Sequence, residues 1–233
     1  MEYLVPWQLR RQHNDVAGFI YAVLGVVYAV LLGFVTIVVW EDFEGARNTT
    51  DSEANELAEF FWLARELPEP EGERIQDLAR SYAKVVIDEE WSLMEQGQAS
   101  PHASALTDEM RSSIYDFEPD TEAEQVLYEL GLERVHDLVD QRRLRLLEAR
   151  EGIPRVMWGV LLLGGIIVVG FTYLFGLENT RSHTLMIAAL AAIIALGLFT
   201  IYALDHPFAG VSRVHPDAFE LVLETFEQYL RRS

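Results

Sequence analysis

Few residues of this chain stand at spacings that support bond-making chemistry. The six histidines, at positions 13, 102, 136, 183, 206 and 215, are scattered, whereas a histidine metal site needs several to converge. Two acidic runs, Asp88-Glu89-Glu90 and Glu69/Glu71/Glu73, could attract calcium. Three consecutive acids on a helix point in different directions, however, and the ligand spacing of an EF-hand loop does not occur. Both runs read as solvated faces. No glycine-rich phosphate loop, paired-histidine zinc motif or nucleophile elbow occurs. With no cysteine there is no disulfide, thiolate site or cysteine nucleophile. The chemistry-bearing residues therefore predict a protein that is not an enzyme, with no catalytic residue, no cofactor and no metal.

The densest local signal is Asp205-His206-Pro207-Phe208-Ala209-Gly210. Pro207 ends a helix, and Gly210 permits a sharp turn after it. Asp205 falls at that helix's C-terminus, where the macrodipole disfavours an anion. Two readings stand. The segment is a polar stop signal, or Asp205 is compensated by an arginine among Arg142, Arg143, Arg145, Arg150 and Arg155.

The elements that position these residues follow from how charge and apolarity are distributed. The 233 residues carry 18 Lys+Arg against 37 Asp+Glu, a net charge of −19, which excludes nucleic acid as a partner. Half of the residues are nonetheless hydrophobic, and the mean hydropathy is +0.09. Both hold only if charge and apolarity are segregated along the chain. Residues 16–40, 156–177 and 184–204 carry no charge at all. Each exceeds the roughly 20 residues a helix needs to cross a ~30 Å hydrocarbon core. The first span has no cleavage site after Trp40 and reads as an uncleaved signal anchor. The second and third, joined by a polar turn at 178–183, form a hairpin opened by Pro154 and Arg155.

Segment 41–155 holds 29 of the 37 acids and 12 of the 18 cations, which leaves −17 in this one stretch. Its apolar residues recur at helical spacing, with no strand-like alternation. The pattern predicts a helix capped by Asp51 and running through Leu67, then a break at Pro68-Glu69-Pro70-Glu71-Gly72. It predicts further helices from Glu73 to about Gln96 and from Ala103 to Tyr115. A long element starts near Asp120-Thr121 and runs toward Pro154, with a break at Gly131. Pro216 to Arg232 reads as an amphipathic helix that docks on this bundle or lies at the membrane interface. Lys84 is the only lysine, a bias that fits GC-rich coding or a salt-adapted surface.

The resulting fold class is all-α: three transmembrane helices with a helical-bundle soluble domain inserted between the first and second. The expected order is a short polar N-terminus (1–15), transmembrane helix 1 (16–40), the acidic domain (41–155), transmembrane helix 2 (156–177), transmembrane helix 3 (184–204) and an amphipathic tail (205–233). Three spans put the acidic domain and the tail on the same face. Within about 15 residues of the span ends that face carries Arg47, Arg142, Arg143, Arg145, Arg150, Arg155 and Arg213, against Arg10, Arg11 and Arg181 opposite. The balance puts the domain and the C-terminus in the cytoplasm of a multi-pass cell-membrane protein. Trp40, Trp158 and Tyr202 fit an aromatic belt at that interface.

Spans without an ionisable residue argue against a proton-coupled carrier or a voltage sensor. What they carry is small residues: Ala22, Gly25, Ala29 and Gly33 on one face of the first, and Ala188, Ala192 and Ala195 on the third. Such stripes let helices approach closely in lipid, inside one subunit or between subunits, and are packing or pore-facing candidates.

At Glu90-Trp91 with Met94, at Arg145-Leu146 with Ala149 and Pro154, at Trp158, and at Leu204-Asp205, Pro207-Phe208 and Gly210, the sequence resembles the bestrophin-like family of bacterial and archaeal integral membrane proteins. The resemblance covers nearly the whole chain, and its most specific part is the Leu-Asp-x-Pro-Phe-x-Gly turn. It implies an integral membrane protein related to bestrophins, which are pentameric anion channels. A domain of −17 beside a pore would instead concentrate cations and repel chloride. Three hypotheses follow. The first is a homo-oligomeric ion channel-like protein with an acidic helical vestibule, its partners the lipid bilayer, further copies of itself and inorganic ions. The second is a non-conducting scaffold or stress-response protein that binds other proteins through its bundle. The third, a membrane insertase, needs a polar groove at membrane depth that uncharged spans do not supply.

Overall fold

A computed structural model of the chain describes residues 7–175 and 180–231. Residues 1–6 of the polar N-terminus assigned to 1–15, residues 176–177 of the second expected span and residues 178–179 of the expected hairpin turn lie outside the described residues. Among those described, all regular structure is helical: α1 (Trp7–Ala64), α2 (Glu71–Val85), a π-helical turn (Val86–Glu90), α3 (Trp91–Met94), α4 (Pro101–Tyr115), α5 (Glu122–Glu148), α6 (Arg155–Thr172), α7 (Thr180–Leu204) and α8 (Asp217–Leu230). Parts of α1, α6 and α7 are long and apolar enough to cross a membrane.

Three features differ from the sequence expectation. Asp51 does not cap a new helix, because α1 runs unbroken from Trp7 to Ala64. Residues 41–50 contain no proline, Thr50 returns its hydroxyl to the Ala46 carbonyl at 2.9 Å, and Ala46 and Thr50 are buried on the face that continues into Leu57. Polar composition alone therefore does not end the helix. Gly131 does not break α5 either. A Cβ there would come within 2.9 Å of the Ile114 side chain, so this glycine serves the close approach of α4 and α5. The second span is also shorter as a helix than residues 156–177, since α6 ends at Thr172.

The chain divides into two compact units: Met1–Glu41 with Ile153–Asp205, and Asp42–Gly152 with His206–Ser233. In the first, the start of α1 packs on α6 and α7 by knobs set into glycine hollows. The Tyr28 ring lies over Gly164 and Gly165, and its hydroxyl donates to the Leu161 carbonyl at 3.0 Å. Leu32 fills the hollow at Gly197, and Val35 and Val39 meet Leu161 and Ile201. Most other large apolar side chains of these helices, Phe19, Phe34, Ile166 and Leu196 among them, point outward, where lipid would cover them.

In the second unit, α8 docks in the core of the bundle. Phe226 stacks on Phe61 of α1 at 3.9 Å between ring centroids, and Phe219 and Val222 are buried with Tyr82 and Trp91. Two helix starts, those of α4 and α5, carry side-chain caps, the second within the expected Asp120-Thr121 region. Ser100 accepts from the His102 and Ala103 amides, and Thr121 accepts from the Glu124 amide.

The glycine hollows yield a paired test. A Cβ at Gly164 would lie 2.7 Å from the Tyr28 ring, whereas one at Gly159 would meet nothing within 4 Å. Gly164→Ala should cost ~1–3 kcal/mol through overpacking. It should lower the apparent melting temperature of the detergent-solubilised protein, and Gly159→Ala should leave that temperature unchanged or raise it.

Candidate functional site

The helical domain is organised around four charged side chains buried at its centre. On α1, positions 46, 50, 53, 57, 60 and 64 share one face, so Glu53 sits in the middle of a buried stripe that is apolar apart from Thr50. On α5, Gly131, Val135, Leu138, Arg142 and Arg145 repeat at four- and three-residue steps and form its buried face. Glu90 arrives through the π-helical turn, whose extra residue per turn changes which side chains face inward. After Ile75, Ala79, Tyr82 and Val86, the buried residues are Glu90, Trp91 and Met94 rather than Leu93. Reading Asp88-Glu89-Glu90 as a solvated face is thus corrected for Glu90, which is fully buried; Asp88 is exposed.

Arg145, with no solvent exposure, forks onto Glu53 (Nε to Oε2 2.6 Å, Nη2 to Oε1 2.9 Å) and reaches Glu90 (Nη2 to Oε2 2.9 Å). Arg142 holds the same Glu90 carboxylate (Nη2 to Oε1 2.6 Å, Nε to Oε2 3.2 Å) and donates to the Ser100 carbonyl and the Ser104 hydroxyl. The Ser100 amide donates to Glu90 at 3.0 Å and the Tyr82 hydroxyl to Glu53 at 2.5 Å. The Arg145 guanidinium also faces the Trp91 and Phe219 rings at 5.3 and 5.6 Å. Two acids and two arginines cancel, and their hydrogen-bonding groups are matched, which is the condition under which buried charge is tolerated.

The titration behaviour follows. Burial pushes the Glu90 carboxyl up, but the Arg142 hydrogen bond and the charges of Arg145 and Arg142 outweigh it and hold Glu90 below its ordinary range. Burial disfavours both guanidinium cations, and the facing carboxylates outweigh it and raise both. Burial, with Glu53 alongside, pushes the Tyr82 phenol well up. Closed to solvent and saturated, the quartet ties α1, the π-helical turn, the start of α4 and α5 together.

The residues singled out from the sequence fall into three groups. Glu90, Trp91, Arg145 and Phe208 come together. Trp91 donates to the Val214 carbonyl at 3.2 Å and meets Phe208 edge-on at 5.7 Å. Pro207 accepts from the Val214 amide at 2.7 Å, and Gly210 takes the left-handed φ of +102° that its turn requires. A second group lies in the other unit. Pro154 precedes α6, and Asp205, 7% exposed, accepts from the Ile153 amide (2.6 Å) and the Trp158 indole (3.2 Å). Asp205 thereby fastens the end of α7 to the start of α6, while Arg142 and Arg145, two of its proposed partners, serve Glu53 and Glu90. The third group is the small residues. Ala22, Ala29, Gly33, Ala188, Ala192 and Ala195 are exposed, Gly25 is half-buried, and a Cβ at Gly25 or Gly33 would meet nothing within 4 Å.

Sequence reasoning missed Glu53, Tyr82 and Ser100 as partners in the network. The available signal was an acid at helical register within the apolar face Ala46–Leu57–Ala64. Among the described residues no group of three or more His, Asp or Glu is placed to hold a metal.

Three apolar helices and a helical domain riveted by buried ion pairs define an all-helical membrane protein. The model of the Bestrophin-like domain matches residues 1–219, and the chain belongs to that family. Its fold is similar to crystal structures of a bacterial bestrophin homolog from Klebsiella pneumoniae. One matches with a TM-score of 0.67 at 15% identity, over 95% of this chain and 91% of that one. Another matches with a TM-score of 0.68 at 15% identity, over 90% and 83%. A structure described as a membrane protein matches at 0.67 and 15% identity, over 94% and 90%. No curated protein matches the sequence.

The lowered Glu90 carboxyl fixes the sign of an acid response. Its stabilisation is fully present above the unfolded value near 4.5 and is lost as the pH falls through the lower folded value. Glu90→Gln leaves Arg142 and Arg145 facing only Glu53 and should cost about 3–5 kcal/mol at neutral pH. The stability gap between wild type and Glu90→Gln should narrow as the pH falls below about 4.5, as read by unfolding in detergent across an acid series.

Proposed function

We propose that the protein is a homo-oligomeric, channel-like membrane protein whose pore is lined by uncharged helices and entered past the acidic domain. The observation that carries this reading is where the charge resides. The buried quartet is internally neutral, so the whole −17 of residues 41–155 remains outside the core. This segment joins the first span to the second in the chain, and the reading assigns its field to the entrance of the path. Such a field raises local cation concentration and repels chloride over roughly a Debye length, ~8 Å at physiological salt. The path is accordingly cation-favouring.

Assembly is supported by the outward apolar faces. One chain with three spans cannot surround a pore, and among the described residues the small-residue stripes are exposed apart from the half-buried Gly25. Tyr28 with Gly164 and Gly165, and Leu32 with Gly197, serve packing within the chain. Ala22, Gly25, Ala29 and Gly33, and Ala188, Ala192 and Ala195, are therefore the surfaces along which neighbouring copies approach or which face the pore. The arginine balance around the span ends supports a cytoplasmic domain and C-terminus.

Purified protein in detergent should have a mass several times 26.6 kDa. In liposomes it should pass potassium faster than chloride, with the preference weakening as salt is raised. A strict monomer, or faster chloride flux, would contradict the reading. An oligomer that passes neither ion would favour the non-conducting scaffold.

A further inference from the structure

One carboxyl group in the helical domain lacks what the quartet has. Glu148 is the last residue of α5, half-buried against α1. Its Oε1 accepts from the Thr49 hydroxyl at 3.0 Å, and its Oε2 is buried with no hydrogen-bond partner among the described residues. Glu90, by contrast, receives two arginines and a backbone amide.

We infer that Glu148 makes the seam between α1 and α5 responsive to protons, held best when this carboxyl is neutral and loosened as it ionises.

Each neighbouring charge bears on that choice. From α1, Asp42 lies two turns before Thr49 on the same face and is acidic. Beyond α5, Glu151 is acidic as well. On α5, Arg145 is one turn away, but its guanidinium is committed to Glu53 and Glu90. The carboxyl also stands at a helix C-terminus, where the macrodipole opposes an anion. Burial is the largest influence and pushes the Glu148 carboxyl up. Glu151 and Asp42 add to it, while the Thr49 hydrogen bond and Arg145 work against it.

The sign follows from linkage. A carboxyl raised in the folded state keeps a proton that the unfolded chain releases above about 4.5. Stability therefore falls as the pH rises from that value through the raised folded one. Glu90 acts in the opposite sense and only below about 4.5, so the two windows are distinct. The inference concerns the domain itself and does not rest on the channel reading.

The test is the pH dependence of unfolding of the full-length protein in detergent, between about pH 5 and about pH 8. The wild-type apparent melting temperature should fall by ~2–4 °C across that range. Glu148→Gln should melt higher than wild type at the alkaline end and lose the slope. Thr49→Val, which removes the one donor to the ionised form, should move the fall to higher pH. Infrared spectra at mildly acidic pH should show a protonated-carboxyl C=O band that Glu148→Gln lacks. A Glu148→Gln protein no more stable than wild type at the alkaline end, with the slope intact, would overturn the inference. So would the absence of that band.

Discussion

The helical domain depends on one guanidinium. Arg145 lies with no solvent exposure between Glu53 and Glu90, forked onto one and sharing the other with Arg142. Desolvating any one of these four groups alone would cost several kcal/mol, and the set is tolerable only because it is neutral and hydrogen-bonded throughout. That condition fixes geometry. Each member comes from a different position along the chain, so α1, the π-helical turn and α5 must meet in one register for the charges to cancel. The aromatic groups around the quartet extend the constraint to the C-terminal segment. Trp91 and Phe219 face the guanidinium, and Trp91 in turn holds Phe208 and the Val214 carbonyl.

The neutral interior has a consequence outside it. Because the buried arginines meet equal numbers of buried acids, they do nothing to moderate the surface, and the acidic excess of residues 41–155 is presented to solvent and ions. Arginine suits this arrangement better than lysine would. Its planar fork reaches two carboxylates at once and keeps its charge in a buried setting. The unit formed by Met1–Glu41 and Ile153–Asp205 follows the opposite rule. Its helices bury few polar groups, return the Thr36 and Thr200 hydroxyls to carbonyls one turn back, and spend Asp205 on tying α7 to α6.

Much of this was legible in the sequence. Long uncharged runs can hardly be anything but spans, and apolar residues at helical spacing marked α2, α4, α5 and α8. Three features were not. Residues 41–50 look like a linker by composition, yet α1 passes through them because Ala46 and Thr50 keep the register of the buried face. Glu90 looks solvent-facing on a regular helix, and only the π-helical turn rotates it inward. In the apolar unit the Ala22–Gly33 stripe is the visible small-residue pattern. The hollows that take Tyr28 and Leu32 are Gly164, Gly165 and Gly197, whose role depends on which faces meet. In the first two the local reading fails, and in the third the packing role falls on glycines that only the meeting of distant faces identifies.

The claim that the quartet behaves as one unit is tested most directly by a double-mutant cycle on Glu53 and Arg145. The variants Glu53→Gln, Arg145→Met and their combination would be compared by unfolding in detergent. If the pair is coupled as its geometry indicates, the double variant will be less destabilised than the sum of the singles, by at least about 2 kcal/mol. Effects that add to within ~0.5 kcal/mol would contradict the account.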